Sequence, residues 1–142
     1  MLCSANMKYR NRYPSDVDGH WQVYHVNEVR DWINGLRLTD PETFELIDDA
    51  IYALSRTGPA LKRPLVGKIE SSRVPNMKEL RPGSSGRSEV RILFVFDPWR
   101  SVILLVAGDK AGNWRRWYRT AIPLAEDRYE IYVKERAEED RP

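Results

Sequence analysis

Glu89-Val90-Arg91-Ile92-Leu93-Phe94-Val95-Phe96, then Asp97-Pro98-Trp99-Arg100, then Ser101-Val102-Ile103-Leu104-Leu105-Val106-Ala107, is the stretch from which the fold of this 142-residue chain is read. Two apolar runs rich in β-branched and aromatic residues flank four turn-forming residues, which predicts antiparallel strands over 89–97 and 101–107. The first run alternates early and then becomes continuously apolar, as a central strand covered on both faces would. Met77-Lys78-Glu79-Leu80-Arg81 predicts a further strand over 76–81, joined to the first by a Gly/Ser turn at Ser84-Ser85-Gly86. A three-stranded meander cannot bury its faces alone, so helices must cover it.

Those helices are found by working outward. Trp21-Gln22-Val23-Tyr24-His25-Val26 predicts a strand, and Val29, Trp32, Ile33 and Leu36 then recur at the spacing of one helical face. Asp40 suits a helix cap, Pro41 the first helical position and Glu42 the positive end of the dipole, ahead of an apolar stripe of Phe44, Ile47, Ile51 and Leu54 that Gly58-Pro59 closes. Residues 59–75 carry three prolines among basic residues and read as a loop or irregular edge. A last helix is expected from about Pro123 to Arg136, with Ile122, Ala125, Tyr129, Tyr132 and Val133 on one side. The expectation is a single small α+β domain: an antiparallel sheet with an N-terminal helical hairpin and a C-terminal helix. Its boundaries are a flexible extension over 1–19, the domain over 20–134 and a charged, fraying tail over 135–142.

The net charge of +2 conceals segregation. Residues 57–119 hold 13 Lys/Arg against 5 Asp/Glu, whereas 27–56 hold 3 against 7 and 120–142 hold 4 against 7. A basic middle between acidic flanks suggests one surface for a polyanion. Cys3 is the only cysteine, so no intramolecular disulfide can form and a reducing cytosol is the natural setting. Met1–Met7 lacks an apolar core after a basic start, and no apolar run suffices for a membrane span. His20 and His25 with one cysteine do not make a metal set, and no Gly-rich phosphate loop or nucleophile elbow occurs, so neither metal nor nucleotide cofactor is expected. His25 reads as a satisfied partner on a strand face.

The most specific chemistry lies in Lys110-Ala111-Gly112-Asn113-Trp114-Arg115-Arg116-Trp117-Tyr118-Arg119-Thr120, read as a basic, aromatic loop after the last strand. Strand placement can gather Lys110, Arg115, Arg116 and Arg119 near Arg91 and Arg81, where guanidinium groups hold phosphate bidentately. Trp114 and Trp117 can stack on unpaired bases, worth about 1–3 kcal/mol per base. Trp117 and Tyr118 can equally anchor the last helix to the sheet. A hydroxyl among cations would lower the Tyr118 pKa and suit it to acid–base work. Arg91 can instead pair with Glu79 or Glu89.

Lys78-Glu79-Leu80-Arg81, Val90-Arg91-Ile92-Leu93-Phe94-Val95-Phe96, Ile103-Leu104-Leu105, Gly108-Asp109-Lys110 and Thr120-Ala121-Ile122-Pro123, in this order, resemble the RelE/HigB superfamily of type II toxins, and within it the phage-derived HigB-like branch. The resemblance covers about residues 20–134. It implies a RelE-like α+β domain that enters the ribosomal A site and cuts mRNA. No metal or cofactor takes part: the 2′-hydroxyl attacks the adjacent phosphodiester while cations offset the developing charge. It implies Arg91, Lys110, Arg116 and Tyr118 as catalytic, and Lys78, Arg81, Arg115 and Arg119 as RNA-binding, to which base stacking adds Trp114 and Trp117. It also implies a cytoplasmic protein that translation stalls under, restrained by a cognate antitoxin of helix-turn-helix type. Asn113–Tyr118 stands where the family carries a Lys-rich run. ParE-like members, which bind DNA gyrase without catalysis, and a non-enzymatic nucleic-acid-binding module are the alternatives.

Overall fold

In the computed structural model, which describes residues 10–13 and 21–140, the expected hairpin forms the centre of a six-stranded sheet. In chain order the strands are β1 (Asn11–Arg12), β2 (Gln22–His25), β3 (Val66–Lys68), β4 (Lys78–Leu80), β5 (Val90–Phe96) and β6 (Ser101–Asp109). The helices are α1 (Asn27–Thr39), α2 (Pro41–Thr57) and α3 (Trp114–Glu139). The spatial order is β1-β2-β6-β5-β4-β3. All pairs are antiparallel except β2 with β6, which run parallel. No tight turn links those two strands, so turn geometry does not set their direction.

β5 is buried as its composition demands: Ile92, Leu93 and Phe94 are fully enclosed, with Ile103, Leu104 and Leu105 of β6 beside them. The register jumps from Leu93 opposite Val106 to Phe94 opposite Leu104, so Leu105 is an extra residue on β6. Its carbonyl accepts a hydrogen bond from Arg128 Nη1 of α3 at 2.7 Å. α2 starts as expected, with the Asp40 carboxylate accepting from the Thr43 amide at 3.2 Å and Pro41 in the first turn. Val29 and Ile33 of α1 and Ile47, Ile51 and Leu54 of α2 are buried. The two helices pack on each other, and α3 lies along β5 and β6.

Four expectations change. β3 falls within the region read as loop or irregular edge, where it forms the sheet edge on β4. α3 begins nine residues before Pro123, so the presumed basic loop supplies its first turns. Ala121, Ile122 and Ala125 around that proline are buried, and their packing outweighs the roughly 3 kcal/mol that an interior proline costs. The helix also continues through the region expected to fray, to Glu139, because Arg10, itself buried, pairs with Glu139 at 2.9 Å. Arg10 and the short strand Asn11–Arg12, antiparallel to β2, replace a featureless lead-in at that point; residues 1–9 and 14–19 of that expectation lie outside the described residues. Among the described residues no helix is long and apolar enough to cross a membrane.

Candidate functional site

Strand register decides which side chains meet. Glu79 of β4 pairs with Gly67 of β3 on one side and Leu93 of β5 on the other, and Arg91 of β5 pairs with Gly108 of β6. Antiparallel partners project to the same face, which here is the face that α3 covers. The two glycines leave room that larger residues would fill. A Cβ on Gly67 would run into the guanidinium of Arg81, and one on Gly108 would lie 2.5 Å from Nε1 of Trp117.

Glu79 is the hub of this face and is only 4% exposed. Its Oε2 accepts from Arg81 Nε at 2.9 Å and lies 2.8 Å from Arg81 Nη2, while Oε1 accepts from the Tyr118 hydroxyl at 2.5 Å. Arg91 Nε stands 3.9 Å from Glu79 Oε1, buried and without a hydrogen-bond partner, and Arg91 Nη1 donates to its neighbour's carbonyl, that of Val90. Burial and the hydrogen bond to Glu79 push the Tyr118 phenol up to about 12. The lowering expected from nearby cations is therefore reversed: Arg91 does act in that direction, but desolvation and the carboxylate dominate. Tyr118 is a protonated hydroxyl at neutral pH, a proton donor.

Lys110 sits at the rim, its Nζ 3.5 Å from Glu89 Oε1 and 5.8 Å from the centre of the Tyr118 ring. Glu79, not Glu89, is thus the partner Arg91 approaches. Trp117 packs edge-on against Tyr118 at 5.1 Å and lies over Gly108, which is the anchoring position. Trp114 is 54% exposed with Arg115 over its ring at 5.2 Å, so it is the indole with a face available to a base. Arg115, Arg116 and Arg119 are exposed on the first turns of α3 and make no hydrogen bond or ion pair to the Glu79 cluster. Lys78 leaves β4 on the opposite face, paired across strands with Lys68 and Phe94.

The structure therefore gathers Arg81, Arg91 and Tyr118, with Lys110 and Trp117 beside them, and leaves Arg116 outside. Sequence reading missed the organising role of Glu79, which entered only as a neutralising partner of Arg91. It also missed Gly67 and Gly108, whose absent side chains make the space. The available signal was an acidic residue beside Leu80 in the middle of an otherwise apolar-to-basic strand.

The other conspicuous titratable group is remote. His25 of β2, 2% exposed and edge-on to Tyr13, has no hydrogen-bond partner at Nδ1, contrary to the satisfied imidazole expected. Burial, with the charge of Arg30 adding to it, holds its pKa below the ordinary value. Among the described residues no cluster of three or more His, Cys, Asp or Glu is placed to hold a metal ion.

Comparison with known proteins gives the chain its relatives. Residues 34–130, which include Glu79, Arg91 and Tyr118, match the family model of phage-derived Gp49-like proteins. A Mycobacterium tuberculosis protein named HigB2, described as a candidate toxin, is 54% identical over 104 residues, which is 73% of this chain and 50% of that relative. The chain thus spans about half the length of that relative. A second M. tuberculosis candidate toxin, HigB3, is 52% identical over 111 residues, 78% of this chain and 92% of that relative. No solved structure matches the chain.

Proposed function

The chain belongs to the family of phage-derived Gp49-like proteins, and from that premise we propose that it is the toxin of a toxin–antitoxin pair, cutting mRNA on the ribosome in the cytoplasm. The observation that carries the catalytic part is the Glu79 cluster: two arginines and a protonated phenol converge on one buried carboxylate, and Arg91 Nε lacks a partner. A guanidinium held only by the Val90 carbonyl and a loose 3.9 Å approach to Glu79 keeps other N–H donors for an incoming anion.

The chemistry follows from these positions. The 2′-hydroxyl of the substrate gives its proton to a water molecule as its oxygen attacks the adjacent phosphorus, and the bond to the 5′-oxygen breaks. The products are a 2′,3′-cyclic phosphate and a 5′-hydroxyl. Arg91 and Arg81 offset charge on the non-bridging oxygens as the pentavalent state forms. Tyr118, held protonated, gives its proton to the departing 5′-oxygen, while Glu79 fixes the orientation of both Tyr118 and Arg81. Lys110 raises the local positive potential at the rim. Trp114 and the exposed Arg115, Arg116 and Arg119 suit contacts to bases and backbone outside the reacting centre. A cognate antitoxin, encoded as a neighbour and of helix-turn-helix type, restrains the protein.

Inducible expression with mapping of mRNA 5′ ends tests this. Wild type is expected to give cuts phased to codons, and Arg91→Ala to lose them. Growth arrest with intact mRNA and accumulated double-strand DNA breaks would replace this reading with gyrase poisoning.

A further inference from the structure

A cavity of about 420 Å³ opens at the β3 edge of the sheet. Its walls carry Lys62, Arg63, Lys68 and Lys78 against the single acid Glu70, over a floor that includes Leu61 and Val66. None of the four cations makes an ion pair among the described residues, in contrast to Arg73 and Arg81, which are both paired with carboxylates. Lys68 and Lys78 are direct cross-strand partners. Like charges facing each other across a ladder destabilise it, so the fold carries an uncompensated positive potential at this point. The cavity opens on the face of β3 opposite the Glu79 cluster, with only that edge strand between them. The backbone of Gly67 lines it, and Arg81 lies against that same glycine.

We propose that this cavity is a second RNA subsite, seating a nucleotide that flanks the scissile bond, with Lys62, Arg63 and Lys68 on its phosphates and the apolar floor under its base. This rests on the mRNA-cleaving reading. The volume falls within the range of small-ligand pockets, and unpaired cations around an apolar floor match a phosphate joined to a base. An acidic peptide would be drawn by the same charge. RNA is favoured because only the edge strand β3 separates this cavity from Arg81, so one nucleic-acid strand can wrap that edge and reach both.

The test is fluorescence polarisation of a labelled single-stranded hexauridylate across a series of KCl concentrations. Each phosphate contact on a single strand contributes about 0.7 to the slope of log affinity against log salt. The Lys62→Ala/Arg63→Ala/Lys68→Ala variant should therefore flatten the slope by about 2. Its three side chains are on exposed residues, and circular dichroism should show the fold intact. Glu70→Gln should tighten binding. An unchanged slope in the triple variant, no binding by the wild-type chain, or a loss seen only for a hexaglutamate peptide would overturn the proposal. Failure of the cleavage reading shows separately, as intact mRNA after induction of the wild type.

Discussion

Tyr118 and Glu79 are one hydrogen bond apart, and the difference in their burial assigns their roles. The phenol is partly open and protonated, as the proposed proton donor must be, whereas the carboxylate is enclosed and in that proposal acts through the groups it holds. Tyr118→Phe removes the proton donor while keeping the ring against Trp117. It is expected to slow cleavage by about 10²–10⁴-fold, the usual range for a general acid, with little change in melting temperature. His25 makes a prediction about stability. Its folded pKa lies below the ordinary value of 6.5, so the unfolded chain binds the proton more readily. Stability from this group is complete above about pH 6.5 and is lost as pH falls below it. A denaturation series against pH should show that decline in wild type, and His25→Phe should flatten it. A decline equally steep in the variant would assign it to other groups.

At the scale of elements, α1, α2, β5 and β6 were legible because each carries a local signal: an apolar stripe, a capping Asp40 before Pro41, or a continuous apolar run closed by a turn. The start of α3 was not. Pro123 resembles a first-turn proline, and only the packing of Trp117 on Gly108 reveals that the helix has already begun. β3 was hidden because three residues beside prolines carry no period, and a ladder to β4 is a tertiary property. The candidate site was half legible. Arg91, Arg81 and Tyr118 announce themselves by residue type, but that Glu79 shares one face with Arg91, Gly67 and Gly108 depends on register across four strands. The glycines separate stability from activity. Gly108→Val drives a branched side chain into the Trp117 indole, and overpacking of this kind costs about 1–3 kcal/mol in a denaturant titration. Gly67→Ala meets only the mobile end of Arg81, so it should leave stability near wild type and reduce cleavage by displacing that guanidinium.

Across the whole molecule α3 is a strap fixed at three places. Its first turns cover the Glu79 cluster. Its middle holds the β3–β4 connection through buried Glu126, which accepts from the Ser72 hydroxyl at 2.9 Å, the Arg73 amide at 2.7 Å and Arg73 Nη1 at 2.7 Å. Its last turns are held by Arg10 on Glu139 and by the Tyr132 hydroxyl on Asp97. Glu126→Ala leaves the loop amide without its acceptor and should lower stability by about 1–3 kcal/mol, measured by denaturant titration. The charge segregation read from the chain becomes spatial here: the basic middle supplies the Glu79 face and the β3 edge, while acids of α3 such as Glu126, Asp127 and Glu130 hold Arg73 in place.

The central claim is that the Glu79 cluster breaks a phosphodiester with Arg91 on the phosphate and Tyr118 as proton donor. Single-turnover cleavage of mRNA on purified programmed ribosomes, with the product ends identified, tests it most directly. Wild type should release a 2′,3′-cyclic phosphate and a 5′-hydroxyl. Arg91→Ala and Tyr118→Phe should each lose at least two orders of magnitude in rate, about 2.7 kcal/mol or more of barrier. A wild-type chain that leaves the mRNA whole, or a Tyr118→Phe variant that cuts at the wild-type rate, would contradict it.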